Sequence, residues 1–203
     1  MPGLRPTSEP GYVNQAIYLR LRLYATPQKC YPYLCSVLGK GFLRMFKVGD
    51  SVIYPQHGAA VIEGLQDREV GGETREYLVL KLTYGDLTLM VPRDNCQEVG
   101  IREVCSSDDV EGVFEILRTG ESSTQGNWSR RFKGNIERLQ SGDIFQVAEV
   151  VRDLTVRDRE KGLSAGEKRM LQRSRQILVS ELVLACHCDE GKAILLVDEA
   201  LES

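Results

Sequence analysis

The chain has 203 residues, a net charge of −3 and 42% hydrophobic residues, the composition of an ordinary globular protein with room for one large domain or two small ones. No run of about 18 apolar residues occurs, so no stretch is suited to cross a membrane as a helix. The charge is uneven. Residues 1–44 carry six basic residues and one acidic, residues 121–176 twelve basic and eight acidic, and residues 181–203 one lysine against six acids. A locally basic stretch in an acidic protein suggests an anionic partner there, although interleaved charges also suit a plain solvated face.

Residues 1–44 hold five of the seven prolines and short apolar patches broken by Arg20 and Arg22, without the uninterrupted apolar core of a secretory signal. They are expected to be a poorly ordered extension, or the product of a translation start set too far upstream, before a domain beginning at Met45-Phe46. From Phe46 the pattern takes a period of two. Val52 and Tyr54, Ala59 and Val61, Leu78, Leu80 and Leu82, then Leu87, Leu89 and Val91 alternate with other residues as half-buried strands do. Turn chemistry separates these runs at Pro55-Gln56-His57-Gly58, Gly71-Gly72 and Tyr84-Gly85-Asp86. Four or five short antiparallel strands over residues 45–98 predict a small Tudor-like or SH3-like barrel, more suited to docking than to catalysis.

Beyond Gly100 the period becomes helical, and residues 99–203 are expected to form an all-α bundle, giving an α+β protein overall. Ser107 or Asp108 can cap a helix carrying Val110, Val113, Phe114 and Leu117 and ending at Gly120. Asn127 can cap a second helix that stops at Ser141-Gly142. Asp143 caps a third, closed by Gly162, and Ser164-Ala165-Gly166-Glu167 has the spacing of a capping box opening a long fourth. A weaker last helix covers 192–201. In the second helix the lone tryptophan, Trp128, stands among Arg130, Arg131 and Lys133. An apolar plate ringed by cations can hold phosphates while pressing against a base step. Trp128, Phe132, Ile136 and Leu139 also fall on one helical face, so the same tryptophan can open a core stripe.

The six cysteines, Cys30, Cys35, Cys96, Cys105, Cys186 and Cys188, show no disulfide framework, and a reducing, cytoplasmic setting is expected. Cys186-His187-Cys188 places three ligand types in a row that no regular helix brings to one tetrahedral centre, and no second pair completes a site. Neither His57 nor His187 stands in a nucleophile-base-acid order, and Ser164–Lys168 lacks the glycine and the Gly-Lys pair at the spacing a phosphate loop requires and does not follow a strand. No enzyme, metal or cofactor is expected.

The segments FKVGDSVIYPQHGAAVIEGL (46–65), EYLVLKL (76–82), GDLTLMVP (85–92), NWSRRFK (127–133), VAEVVRDL (147–154) and KGLSAGEKRMLQRSRQIL (161–178) resemble, in the same order, the CarD family of bacterial RNA polymerase-binding transcription regulators. Lys161 replaces an arginine of the family pattern. The resemblance covers residues 46–185 and implies a Tudor-like domain that docks on the polymerase β subunit by pairing a sheet edge, through Arg68, Val70, Thr88, Leu89, Met90 and Pro92. Met90 departs from members with arginine there, which removes an ion pair and leaves strand pairing intact. It also implies a helical domain reaching promoter DNA at the upstream edge of the bubble. There Trp128 is the minor-groove wedge, with Arg130, Arg131, Lys133, Arg157 and Lys168 at or near backbone contacts. A monomeric, nucleoid-associated regulator that stabilises the open promoter complex is expected. The competing readings are a protein-protein adaptor that never touches DNA and a fragment related to repair-coupling factors.

Overall fold

A computed structural model describes residues 46–119 and 127–202, and Phe46–Ser203 forms a unit of its own. The expectations for residues 1–44 and for a helix end at Gly120 lie outside the described residues. Five antiparallel strands form one sheet in the order β4-β3-β2-β1-β5. They are β1 (Ser51–Tyr54), β2 (Gly58–Val70), β3 (Glu73–Leu82), β4 (Thr88–Pro92) and β5 (Arg102–Glu103). The glycine turns lie where the sequence places them: Gly58, Gly71, Gly72 and Gly85 all have positive φ, which L side chains rarely adopt. Two strands are longer than expected. β2 takes a register shift between Ile62 and Gly64. Beyond it Leu65–Val70 are exposed, and past the last β4 pair at Tyr77 Asp67–Val70 and Glu73–Glu76 run on from the core as a two-stranded arm.

The sheet core is Val52, Ala60, Ile62, Leu78, Leu80, Leu82, Val91, Cys96 and Ile101. Leu78, Leu80 and Leu82 alternate inward as their spacing predicts. In β2 the inward pair is Ala60 and Ile62, whereas Val61 is half-buried. Ala59 is buried as well, because that end of the sheet lies against a helix, and a strand covered on both faces loses its alternation. Leu87 precedes β4 and is exposed. The fifth strand, β5, lies beyond residue 98, and the change to helix comes at Ser106.

After a 3-10 turn, Arg93–Asn95, six helices follow among the described residues: α1 (Cys96–Val99), α2 (Ser107–Arg118), α3 (Trp128–Ser141), α4 (Ile144–Lys161), α5 (Ala165–Ala185) and α6 (Glu190–Glu202). Their ends carry the predicted caps with one shift: Ser106, not Ser107 or Asp108, caps α2, in a capping box with Asp109. Asp143 and Ser164 cap α4 and α5, and Gly142 and Gly162 end α3 and α4 at positive φ. The helical core joins Val113 and Leu117 of α2, Leu139 of α3, Val147, Val150, Val151 and Leu154 of α4, Met170, Leu178 and Leu182 of α5, and Val197 of α6. Each such aliphatic side chain contributes about 1.5–3 kcal/mol on burial.

Sheet and bundle are joined at one seam. The Ala59 N–H donates to Ser180 Oγ of α5 at 3.0 Å. A Cβ on Gly58 would overlap that oxygen and stand 3.3 Å from Ile177 Cα, so only glycine allows this approach. From β5, Arg102 grips the buried Glu181 of α5 with two hydrogen bonds, 2.5 and 2.8 Å, and donates through Nε to the Gly142 carbonyl at 2.7 Å. Cys105 N–H adds a third donor to Glu181 at 3.1 Å. Tyr84 OH donates to Glu190 Oε1 on α6 at 2.6 Å.

Candidate functional site

The N-terminal turns of α3 and α5 meet, and the tryptophan stands where they do. Asn127 is extended (φ −73°, ψ 164°), and its side chain accepts the Arg130 N–H at 3.0 Å, which starts α3 at Trp128. From that first turn the indole stacks on Phe132, with centroids 5.0 Å apart and ring planes 22° apart. Its Nε1–H donates to Ser164 Oγ, the cap of α5, at 3.3 Å. Nearby on α5, Gly166 lies close to Phe132: a Cβ there would be 3.4 Å from the ring. Leu139 is buried and Phe132 and Ile136 are half-buried, yet Trp128 is 47% exposed. The stripe counted in the sequence is therefore real, and it leaves the core at its first member.

The cations expected to act with the tryptophan divide into two sets. Arg130, Lys133 and Lys168 are exposed, and Lys133 makes a 3.8 Å surface pair with Glu137, of little energetic weight. Arg131 and Arg157 turn inward. Arg131 has 11% of its side chain exposed and stands 3.7 Å from Glu167, while Arg157 Nε stands 3.6 Å from the same carboxylate. To meet a phosphate Arg131 would have to leave Glu167, whereas Arg157 turns its Nε to that carboxylate and keeps 30% of its side chain exposed. Sequence reasoning missed Arg169, exposed beside Lys168, which lines an open groove of about 430 Å³ between α3 and α5 together with Phe132, Ile136, Met170 and Arg173. It also missed Glu167 and Ser164 as partners of this site. The capping box was legible, but its contact with a residue 36 positions earlier has no local signature.

Glu167 is 3% exposed. Burial alone would raise its pKa, but the hydrogen bonds from Ser164 and the charges of Arg157 and Arg131 hold the carboxyl below its usual range. Together with the two helix N-termini, whose free N–H groups favour anions, the outer cations make this face suited to phosphates. The exposed ring adds an apolar surface at the same helix ends.

The residues expected on the docking surface lie in two places. Thr88, Leu89, Met90 and Pro92 belong to β4, an edge strand that pairs, among the described residues, with β3 alone, so its outer backbone groups are open to another strand. Arg68 and Val70 lie on the hairpin arm, where Arg68 faces Arg75 across the strands and Asp67 faces Glu76. Like charges directly opposite are unfavourable in an isolated ribbon. Arg75 is relieved by Glu73 at 3.2 Å and Glu76 by Arg93.

Among the described residues, no group of three or more His, Cys, Asp or Glu is placed to hold a metal ion. Cys186 and His187 lie in the turn between α5 and α6, with His187 at φ 49°. Burial pushes the Cys96 and Cys186 thiols up and the Cys105 thiol up to about 12, so they are packing groups and not thiolates.

Residues 46–105 match the family model of the CarD-like/TRCF RID domain, and residues 112–198 match that of the CarD C-terminal domain. YdeB of Bacillus subtilis (strain 168), a candidate transcription factor, is 36% identical over 138 residues, which span 68% of this chain and 90% of YdeB. With both family domains in order along one chain, and a relative matched over nearly its whole length, this protein belongs to the CarD-like family of transcription factors.

Proposed function

We propose that this protein is a non-enzymatic regulator that docks on the RNA polymerase β subunit and stabilises the open promoter complex by wedging Trp128 into the minor groove at the upstream edge of the bubble. The observation that carries this reading is the half-exposed indole at the meeting point of two helix N-termini, whose first two turns also bear the exposed Arg130, Lys133 and Lys168. An initiation complex interconverts between closed and melted promoter, and a factor that binds the melted form more tightly shifts the balance by that difference. A wedge fits only where the duplex edge is distorted, which supplies the preference. Unstacking costs a few kcal/mol per step, and phosphate contacts together with tethering to polymerase offset it. Docking is assigned to the open edge of β4 and to the arm that bears Arg68 and Val70. The protein acts as a monomer, at the nucleoid, with little sequence preference.

Salt titration of the promoter complex tests the DNA arm of this reading. Lys133→Glu with Lys168→Glu should weaken binding at all promoters alike and flatten the dependence of log K on log salt by about two units, one for each phosphate no longer neutralised. An unchanged slope and an unchanged promoter footprint would support a protein-protein adaptor instead.

A further inference from the structure

The indole is not simply left on the surface. Ser164 Oγ uses all three of its hydrogen-bonding capacities: it accepts the Glu167 N–H at 3.3 Å and the Trp128 Nε1–H at 3.3 Å, and it donates to Glu167 Oε2 at 2.7 Å. The Ser164 N–H donates to the same Oε2 at 3.0 Å. The other carboxylate oxygen, Oε1, faces Arg131 from α3 and Arg157 from α4. Both oxygens therefore meet donors or cations, in a site that is almost fully buried.

We infer that Glu167 is a positioning residue for Trp128: its carboxylate fixes the Ser164 hydroxyl as an acceptor aimed at the indole N–H and ties α3 and α4 to the α5 cap, so that the ring is held at a set angle before any DNA arrives. Two consequences separate this from an ordinary capping box. A cap needs only one carboxylate oxygen, whereas the second here binds the helix that carries the tryptophan. An isosteric amide cannot serve, because its NH2 group must face either the Ser164 donors or two guanidinium groups. Arg131 and Arg157 then contribute to DNA binding through the orientation of the ring, and Arg130, Lys133 and Lys168 supply the phosphate contacts. The functional consequence rests on the wedge reading; the geometry of the ring does not.

The chain has a single tryptophan, so its indole N–H gives one resolved nuclear magnetic resonance signal whose exchange with water reports this contact alone. In Ser164→Ala and Glu167→Gln, exchange should quicken about five-fold, the effect of losing one net hydrogen bond. Ser164→Thr, which keeps the hydroxyl, should stay near wild type. Val197→Ala, a cavity in α6, controls for general loosening and should leave the signal unchanged. Should Glu167→Gln not fold, Arg157→Gln replaces it, with a smaller rise expected. Exchange as slow as wild type in the Ser164 and Glu167 variants, or an equal rise in Val197→Ala, overturns the inference. The same variants should shorten open-complex lifetime. Quicker exchange with an unchanged lifetime would leave the positioning role intact and count against the wedge.

Discussion

Trp128 and Glu167 illustrate how two residues of opposite character depend on each other. The tryptophan is half in water and the glutamate is almost wholly out of it, yet the hydroxyl of Ser164 joins them. Because the folded pKa of Glu167 lies below its ordinary 4.5, the ionised carboxylate favours the folded state. That stability is fully present above the unfolded value and is lost as pH falls below 4.5 through the folded pKa. Urea unfolding followed from neutral pH into this acid range should show a decline in stability that is smaller in Glu167→Gln, whose side chain does not titrate. Equal acid sensitivity in the two proteins would contradict the assignment. At this scale the sequence disclosed the tryptophan, its three neighbouring cations and the cap at Ser164. It could not disclose that Arg131 and Arg157 turn inward, because their common partner lies on another helix, and a cation next to an aromatic ring looks the same in sequence whichever way it points.

Among the elements, helix ends were the most legible, since a cap is a local event: Asn127, Asp143 and Ser164, and the closing Gly142 and Gly162, are where residue chemistry demands them. The strands were less legible. In β2 the inward pair is Ala60 and Ile62, yet Ala59 is buried too, under α5, and period-two counting has no means of seeing a strand covered on both faces. β5 is only two residues long, too short for any periodic signal. The turn between β1 and β2 was marked by its glycine, but not by the reason for it, which is Ser180 and Ile177 of α5 pressing from outside. Gly58→Ala should therefore cost about 1–3 kcal/mol in backbone strain alone, and the clash with Ser180 adds to it. A chemical denaturation midpoint indistinguishable from wild type would show that the seam is looser than the distances indicate.

For the molecule as a whole, the arrangement that matters is a sheet with an open edge and a helical bundle with an exposed tryptophan, held together by Arg102 and Glu181. The passage from strands to helices was readable from the change of hydrophobic period, while the seam between sheet and bundle was not, because it consists of polar side chains far apart in sequence. Arg102→Met takes the guanidinium from Glu181 and leaves that carboxylate buried beside the Cys105 N–H. It should destabilise the protein by about 3 kcal/mol, the lower end for a broken buried pair, because 31% of the arginine side chain is open to water. Thermal or urea unfolding measures this directly, and a wild-type midpoint would show that Glu181 does not depend on its partner. If docking through β4 and wedging through Trp128 act on one promoter complex, the seam is also what transmits the position of one to the other.

Whether the indole itself holds the bubble edge is tested most directly by the dissociation lifetime of open complexes. They would be formed by purified polymerase with wild type, Trp128→Phe and Trp128→Ala, each shown to bind polymerase equally well. Trp128→Ala gives up the ring stack on Phe132, worth about 0.5–1.5 kcal/mol, so the fold should survive while the lifetime falls towards that of polymerase alone, with Trp128→Phe between. A lifetime for Trp128→Ala equal to wild type would contradict the wedge.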